Sequence, residues 1–209
     1  MTAISEAPEH DWSAAAGRLM PVLRPAGTHG TAMAALDASH LASEAMKRHA
    51  LPLIDEGPAG LAVAYVISAD GFDVLVNADH LLSWSVGPER VRETAMANLA
   101  TWSNRAPWTD ELSGDRRVLS SDTGDGTDAV RILLPEVRRH LVDALGDGAR
   151  VVVGLPYRHL LVAGRLRSDD LDFVALLGDF VRDHADAADE PVHSELLELV
   201  EGELRAFVR

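Results

Sequence analysis

At 209 residues, 47% hydrophobic and 25% charged, the chain has the length and balance of a single globular domain with a real core. It has no cysteine, which excludes disulfides, thiolate catalysis and cysteine-ligated metal centres. Its net charge of −14 argues against nonspecific nucleic-acid binding, which needs a concentrated basic surface.

In chain order, residues 1–9 read as a frayed tail, and MTAISEAPEHDW lacks the basic-then-apolar pattern of a secretory signal. Asp11 to Leu19 predicts a short helix closed by Pro21, with LMPVLRP extended behind it. PAGTHGT (25–31) is loop on composition. Ser39 caps a predicted helix through His49, and Pro52 ends it; EGPAG (56–60) is a second break. LAVAYVIS (61–68) is a strand apolar on both faces, Asp70-Gly71 is a hairpin turn and FDVLVN returns. A helix starts at Gly87-Pro88, with Val91, Ala95, Leu99 and Trp102 as its buried face. Residues 103–115 read as loop and Arg116 to Ser121 as a short strand. Pro135 opens a helix with the stripe Val137, Leu141 and Leu145, which Gly146 ends. Strands at 150–155 and 159–165, split by Pro156, form the centre of a sheet.

A helix from about Asp169 to Asp186 buries Phe173, Val174, Leu177, Phe180 and Val181 and turns Asp172, Asp179, Asp183 and Asp186 outward. Residues 195–208 read either as a helix with Leu197, Val200, Leu204 and Phe207 on one face or as a hairpin turning at Glu201-Gly202. The expected fold is α+β, one largely antiparallel sheet with helices mainly on one face, formed by residues 1–209 as a single domain. No run approaches the roughly 18 apolar residues of a membrane span, and the expected location is the cytoplasm. Charge is uneven: Asp169 to Glu203 holds twelve acids against one base, Arg182, while Arg116 to Arg167 holds nine arginines against six acids.

Five segments carry a resemblance. The pattern D-G-x-D-A-x-R-I-L is met by Asp125, Gly126, Asp128, Ala129, Arg131, Ile132 and Leu133. MPVLRP (20–25), RVRETAMANL (90–99), GLPYRHLLVAGRL (154–166) and PVHSELLELVEGELRAFV (191–208) fall in the same register. Together, across about residues 12–209, they resemble the YtpQ-like bacterial proteins, a family of unknown function. The family members carry an additional N-terminal region, and an acid where this chain has His159. The resemblance implies the closing hairpin and no particular reaction.

Asp122, Asp125 and Asp128 recur every third residue, which fits neither the alternate spacing of an EF-hand loop nor a D-x-D phosphotransferase motif. The structural reading gives Gly126 a special backbone angle, makes Thr127 or Asp128 a cap, and pairs Arg131 with a carboxylate. Tyr157, Arg158 and His159 stand at a turn between two core strands, where binding groups are ordinarily carried; the alternative is a solvated hairpin tip. His40 and Glu44 share a helix face without a third metal ligand. Trp84, Trp102 and Trp108 bracket the first long helix as core residues. No metal and no other cofactor is expected. The expected function is non-catalytic, a module that binds a protein partner or associates weakly with itself. The alternative is a small hydrolase or ligand-binding enzyme built on Asp125, Asp128, Arg131 and His159.

Overall fold

The computed structural model describes residues 11–46, 51–69, 72–146, 148–167 and 170–208; the expected tail (1–9) and the Asp70-Gly71 turn lie outside them. The chain divides into two compact units, neither continuous in sequence. The first takes residues up to Val22, Gly27–Glu56 and Ala62–Thr101; the second takes Leu23–Ala26, Gly57–Leu61 and Trp102 onward.

In the first unit, Asp11 caps α1 (Trp12–Ala15) by accepting the Ser13 N–H at 2.9 Å, as a short polar side chain does for an orphan helix donor. A 3₁₀ turn leads into β1 (Leu19–Arg24). β2 (Thr31–Ala32) is followed by α2 (Ala38–Ala45), β3 (Leu53–Glu56), β4 (Ala62–Ala69) and β5 (Phe72–Leu75). The strand order is β1-β4-β3-β2, with β5 also on β4. β2 and β3 run parallel, and β4 is antiparallel to β3 and β5. β4 is apolar on both faces because Ala62 to Ile67 are all buried.

α3 (Ala78–Trp84) begins with a capping box: Asn77 Oδ1 accepts the Asp79 and His80 N–H groups, and His80 Nδ1 accepts the Asn77 N–H. α4 (Pro88–Ser103) buries Val91, Ala95 and Leu99 completely. Its Arg92 makes two 2.6 Å bonds to Asp55, which also accepts the Tyr65 hydroxyl at 2.7 Å. Burial and the Asp55 carboxylate push the Tyr65 phenol well up, and the bond to Asp55 raises Arg92. Asn98 donates to the carbonyls of Ala16 and Leu19, so α4 ties α1 and β1 in place.

The second unit is built on a six-stranded antiparallel sheet. β6 (Thr109–Ser113), β7 (Arg116–Ser121), β8 (Arg150–Gly154), β9 (Leu161–Leu166), β10 (Leu197–Val200) and β11 (Glu203–Ala206) stand in the order β11-β10-β8-β9-β7-β6. β8 and β9 occupy its centre, as their apolar runs predict. β10 and β11 form the expected hairpin, with positive φ at both Glu201 (54°) and Gly202 (81°), the turn whose twist matches paired strands. α5 (Pro135–Leu145) buries Val137, Leu141 and Leu145, and β9 Arg165 donates to its last carbonyl, Leu145.

Strand side chains alternate, so Val162, Gly164 and Leu166 face away from Arg165, and α6 (Leu171–Asp186) covers that second face. Phe173, Val174, Leu177 and Val181 pack there on Val152, Val162 and Leu166. The helix sits close because a Cβ at Gly164 would meet Phe173 at 2.8 Å, and one at Gly154 would run into Val181. Phe180, expected on the buried face, is 38% exposed because it lies at the rim of the stripe.

The α+β class and the largely antiparallel pairing are as expected, with β2–β3 the parallel pair. The strands divide between two sheets, and the larger one carries α5 and α6 on opposite faces. Among the described residues no helix is long and apolar enough to cross a membrane.

Candidate functional site

The acidic turn that the sequence singles out is an internal clamp. Asp128 is fully buried; its carboxylate accepts the Ser121 hydroxyl at 2.5 Å and the Thr123 hydroxyl and N–H at 2.8 and 3.0 Å. It therefore reaches back to the end of β7 and does not cap the 3₁₀ helix Ala129–Leu133 that follows. Arg131, 1% exposed, points the same way. Its Nη1 donates to Ser121 Oγ at 2.6 Å and to the Pro107 carbonyl, its Nε to Ser103 Oγ, and its Nη2 to the carbonyls of Ser103 and Ala106.

The expected carboxylate partner of Arg131 is thus replaced by a bridge, in which the Ser121 hydroxyl donates a hydrogen bond to Asp128 and accepts one from Arg131. The guanidinium also lies 4.1 Å from the Trp108 ring and 5.7 Å from Trp102, a cation–π geometry that offsets desolvation. Burial lowers the Arg131 pKa, against the pull of Asp128 and Asp125. Asp125 closes the turn through Oδ1 to the Thr127 N–H and Oδ2 to the Trp102 indole at 2.7 Å. Every one of these groups is spent on holding the 103–107 and 122–128 segments together.

Gly126 has the expected special angle (φ 82°) and a second reason to be glycine. The Arg158 guanidinium lies against it, 2.6 Å from where a Cβ would sit, and Arg158 Nε donates to its carbonyl at 3.4 Å. The Ala129 N–H donates to the Arg158 carbonyl. The two stretches that dominate the sequence, 124–137 and 151–164, therefore meet at this point.

Tyr157, Arg158 and His159 are half-buried, not a solvated tip. The β8–β9 connection is pinned by a bridge from Tyr157 to Pro191 and by Val192 and His193 donating to Pro156 and Leu155. The Tyr157 ring lies parallel to that of His184 on α6, 6.4 Å away, and 6.0 Å from His159. Burial, then the charges of Asp122 and Asp128, raise the Tyr157 pKa, so its hydroxyl stays a donor at neutral pH. His184 donates to the Phe180 carbonyl. His159 Nδ1 is buried without a hydrogen-bond partner among the described residues.

Two cavities open on either side of the Tyr157–His184 pair. One, of about 610 Å³, is lined by Tyr157, Arg158, His159, His184, Asp189 and Glu190 among others. The second, of about 480 Å³, is a groove between α6 and the outer strands. Its apolar walls include Val118, Leu160, Phe173, Leu176 and Phe180, and its polar groups are Glu111, Ser120, Asp122, Tyr157 and His184.

Of the four residues of the hydrolase alternative, His159 alone lines either cavity. The structure brings Asp125, Asp128 and Arg131 together, and brings Tyr157, Arg158 and His159 to the cavities. Sequence reasoning missed His184 and Glu190, and weighed Asp122 only with Asp125 and Asp128; the signal for His184 was an aromatic polar residue four positions after Phe180. His40 lies 3.0 Å from Asp37 and Glu44 takes the Thr31 hydroxyl. No group of three or more metal-ligating side chains stands together among the described residues. Comparison of the chain with protein-family models, with curated proteins and with solved structures finds no match.

Proposed function

We propose that the protein is a non-catalytic binding module that takes an extended, apolar and basic segment of a partner polypeptide into the groove between α6 and β6–β7. The observation that carries this is the open groove itself. Its wall leaves Leu176 61% exposed beside Phe180, more apolar surface than an isolated solvated helix face needs. Its floor ends at β6, a strand exposed along its whole length with β7 as its one strand partner among the described residues. Such an edge offers backbone donors and acceptors to an added strand.

Charge selects the occupant. Glu111 and Asp122 line the groove, and Asp172, Asp179 and Asp183 are exposed on the helix beside it. A second copy of β6, TDELS, would set acid against acid, which is unfavourable for directly opposed strand residues. The arginines of 116–167, the expected counterpart in a second copy, are largely engaged within the chain: Arg116 with Asp170, Arg117 with Asp110, Arg150 with Glu198 and Arg167 with Asp115. A basic segment of another protein fits better. A cytoplasmic location and membership of the YtpQ-like family belong to the same reading.

Fluorescence anisotropy with a labelled peptide alternating valine and lysine is expected to show binding, against none for the valine–glutamate peptide. Leu176→Asp with Phe180→Asp, both at exposed positions, should remove at least tenfold in affinity. Equal affinity for the two peptides, or indifference to the paired substitution, would rule the groove out.

A further inference from the structure

We infer that the cavity beside the 157–159 turn is a seat for a small phosphorylated or otherwise dianionic ligand, held in the free protein by the chain's own Glu190. Glu190 Oε2 receives two guanidinium groups from different parts of the second unit, Arg24 at 3.3 Å and Arg158 at 3.4 Å. Both distances exceed the 2.7–2.9 Å usual for a charge-assisted bond, and the Glu190 side chain is 46% exposed, whereas those of Arg24 and Arg158 are 25% exposed. The cations are thus the more buried and fixed members of the cluster. Arg158 in particular lies against Gly126, whose φ of 82° disfavours a side chain there, and donates to its carbonyl. The carboxylate is the loosely held, displaceable member.

The rest of the cavity fits an anion that carries more than charge. His159 lines the cavity next to Arg158. Tyr157 keeps its proton because burial and neighbouring acids disfavour the phenolate, so it remains a donor on the cavity wall. The Tyr157 and His184 rings add flat faces for a ring borne by the ligand. At about 610 Å³, the cavity falls in the range of small-molecule sites. Among the described residues lining the cavity, Asp189 is the acid besides Glu190, so an anion reaches Arg24 and Arg158 only once Glu190 has swung out. Nothing in this inference depends on the groove or its partner.

The test is isothermal titration of the full chain with inorganic phosphate and with phenyl phosphate. Wild type should bind at least one probe in the millimolar range. Glu190→Gln, which removes the competing charge at an exposed position, should tighten binding about tenfold, equivalent to roughly 1.4 kcal/mol. Arg158→Ala and Arg24→Ala should each weaken it at least tenfold, with melting curves confirming that the variants fold. Equal affinities for the two probes would make the seat one for free phosphate, and tighter binding of phenyl phosphate one for an aromatic ester. Either supports the site. No binding of either probe to wild type and Glu190→Gln, or a Glu190→Gln protein that binds no more tightly, overturns it.

Discussion

Arg131 shows how little a residue's type reveals about its use. An arginine three positions after an aspartate, behind a glycine turn, reads as the partner of a carboxylate, with a catalytic role as the alternative. The structure makes it the hub of the clamp, bonded to Ser103, Ala106, Pro107 and Ser121. That Asp125, Gly126, Asp128 and Arg131 serve structure was legible, because glycine and short polar side chains have few other uses at such a spacing. The serine bridge was not, because it depends on Ser121 lying at the end of a strand and Ser103 at the end of a helix. Removing the cation would leave three carbonyls and Ser121 unsatisfied and Asp128 buried without its counter-charge. Arg131→Met should therefore cost about 3–5 kcal/mol, a fall in melting temperature of roughly 6–20 °C for a chain of this size. Arg131→Lys should recover little, because an ammonium on a single stem cannot reach both sides of the fork. Calorimetry of the three proteins decides; a Met variant melting within about 2 °C of wild type would remove the clamp from the account.

At the scale of elements, periodicity revealed what burial imposes. β4, β8 and β9 are buried on both faces and read as apolar runs, and α5 and α6 carry stripes at helical spacing. β6, by contrast, is TDELS, exposed throughout, so nothing in its side chains had to obey a strand pattern; it is a strand because β7 offers it an edge. β3, LIDE, and the seven-residue α3 are too short for a period to show. The approach of α6 to the sheet is likewise invisible in a pattern that records apolar residues but not gaps. Gly164 is such a gap: a Cβ there meets Phe173 at 2.8 Å and Leu177 at 3.1 Å. Gly164→Ala should destabilise by about 1–3 kcal/mol through overpacking, despite alanine's better strand conformation. Phe173→Leu on its own leaves a small void, and in combination it should relieve the clash. The double variant is expected to be more stable than the sum of the single losses predicts, by at least about 0.5 kcal/mol, the coupling expected of residues in contact. Strict additivity in denaturant titrations would mean that α6 is not seated on this glycine.

At the scale of the molecule, the order of segments along the chain bears on how it unfolds. The second unit contains Leu23–Ala26 and Gly57–Leu61, short pieces flanked on both sides by residues of the first. If the first unit melted alone, those pieces would have to stay bound while the 30 residues of Gly27–Glu56 and the 40 of Ala62–Thr101 became free loops. Closing flexible loops of that length costs roughly 3 kcal/mol each, which is comparable with what four or five ordered residues can return. The expected outcome is a single unfolding transition, with calorimetric and van't Hoff enthalpies in agreement. The tryptophans provide a reporter for each unit, Trp12 and Trp84 in the first and Trp102 and Trp108 in the second. Variants keeping only one pair should give coincident fluorescence melts. By the same reasoning, residues 102–209 alone, lacking Arg24 and the 57–61 segment, should not form a protease-resistant fragment. Two resolved melts, with the first-unit pair losing its signal ahead of the second, or a stable fragment of 102–209, would make these two independent domains on one chain.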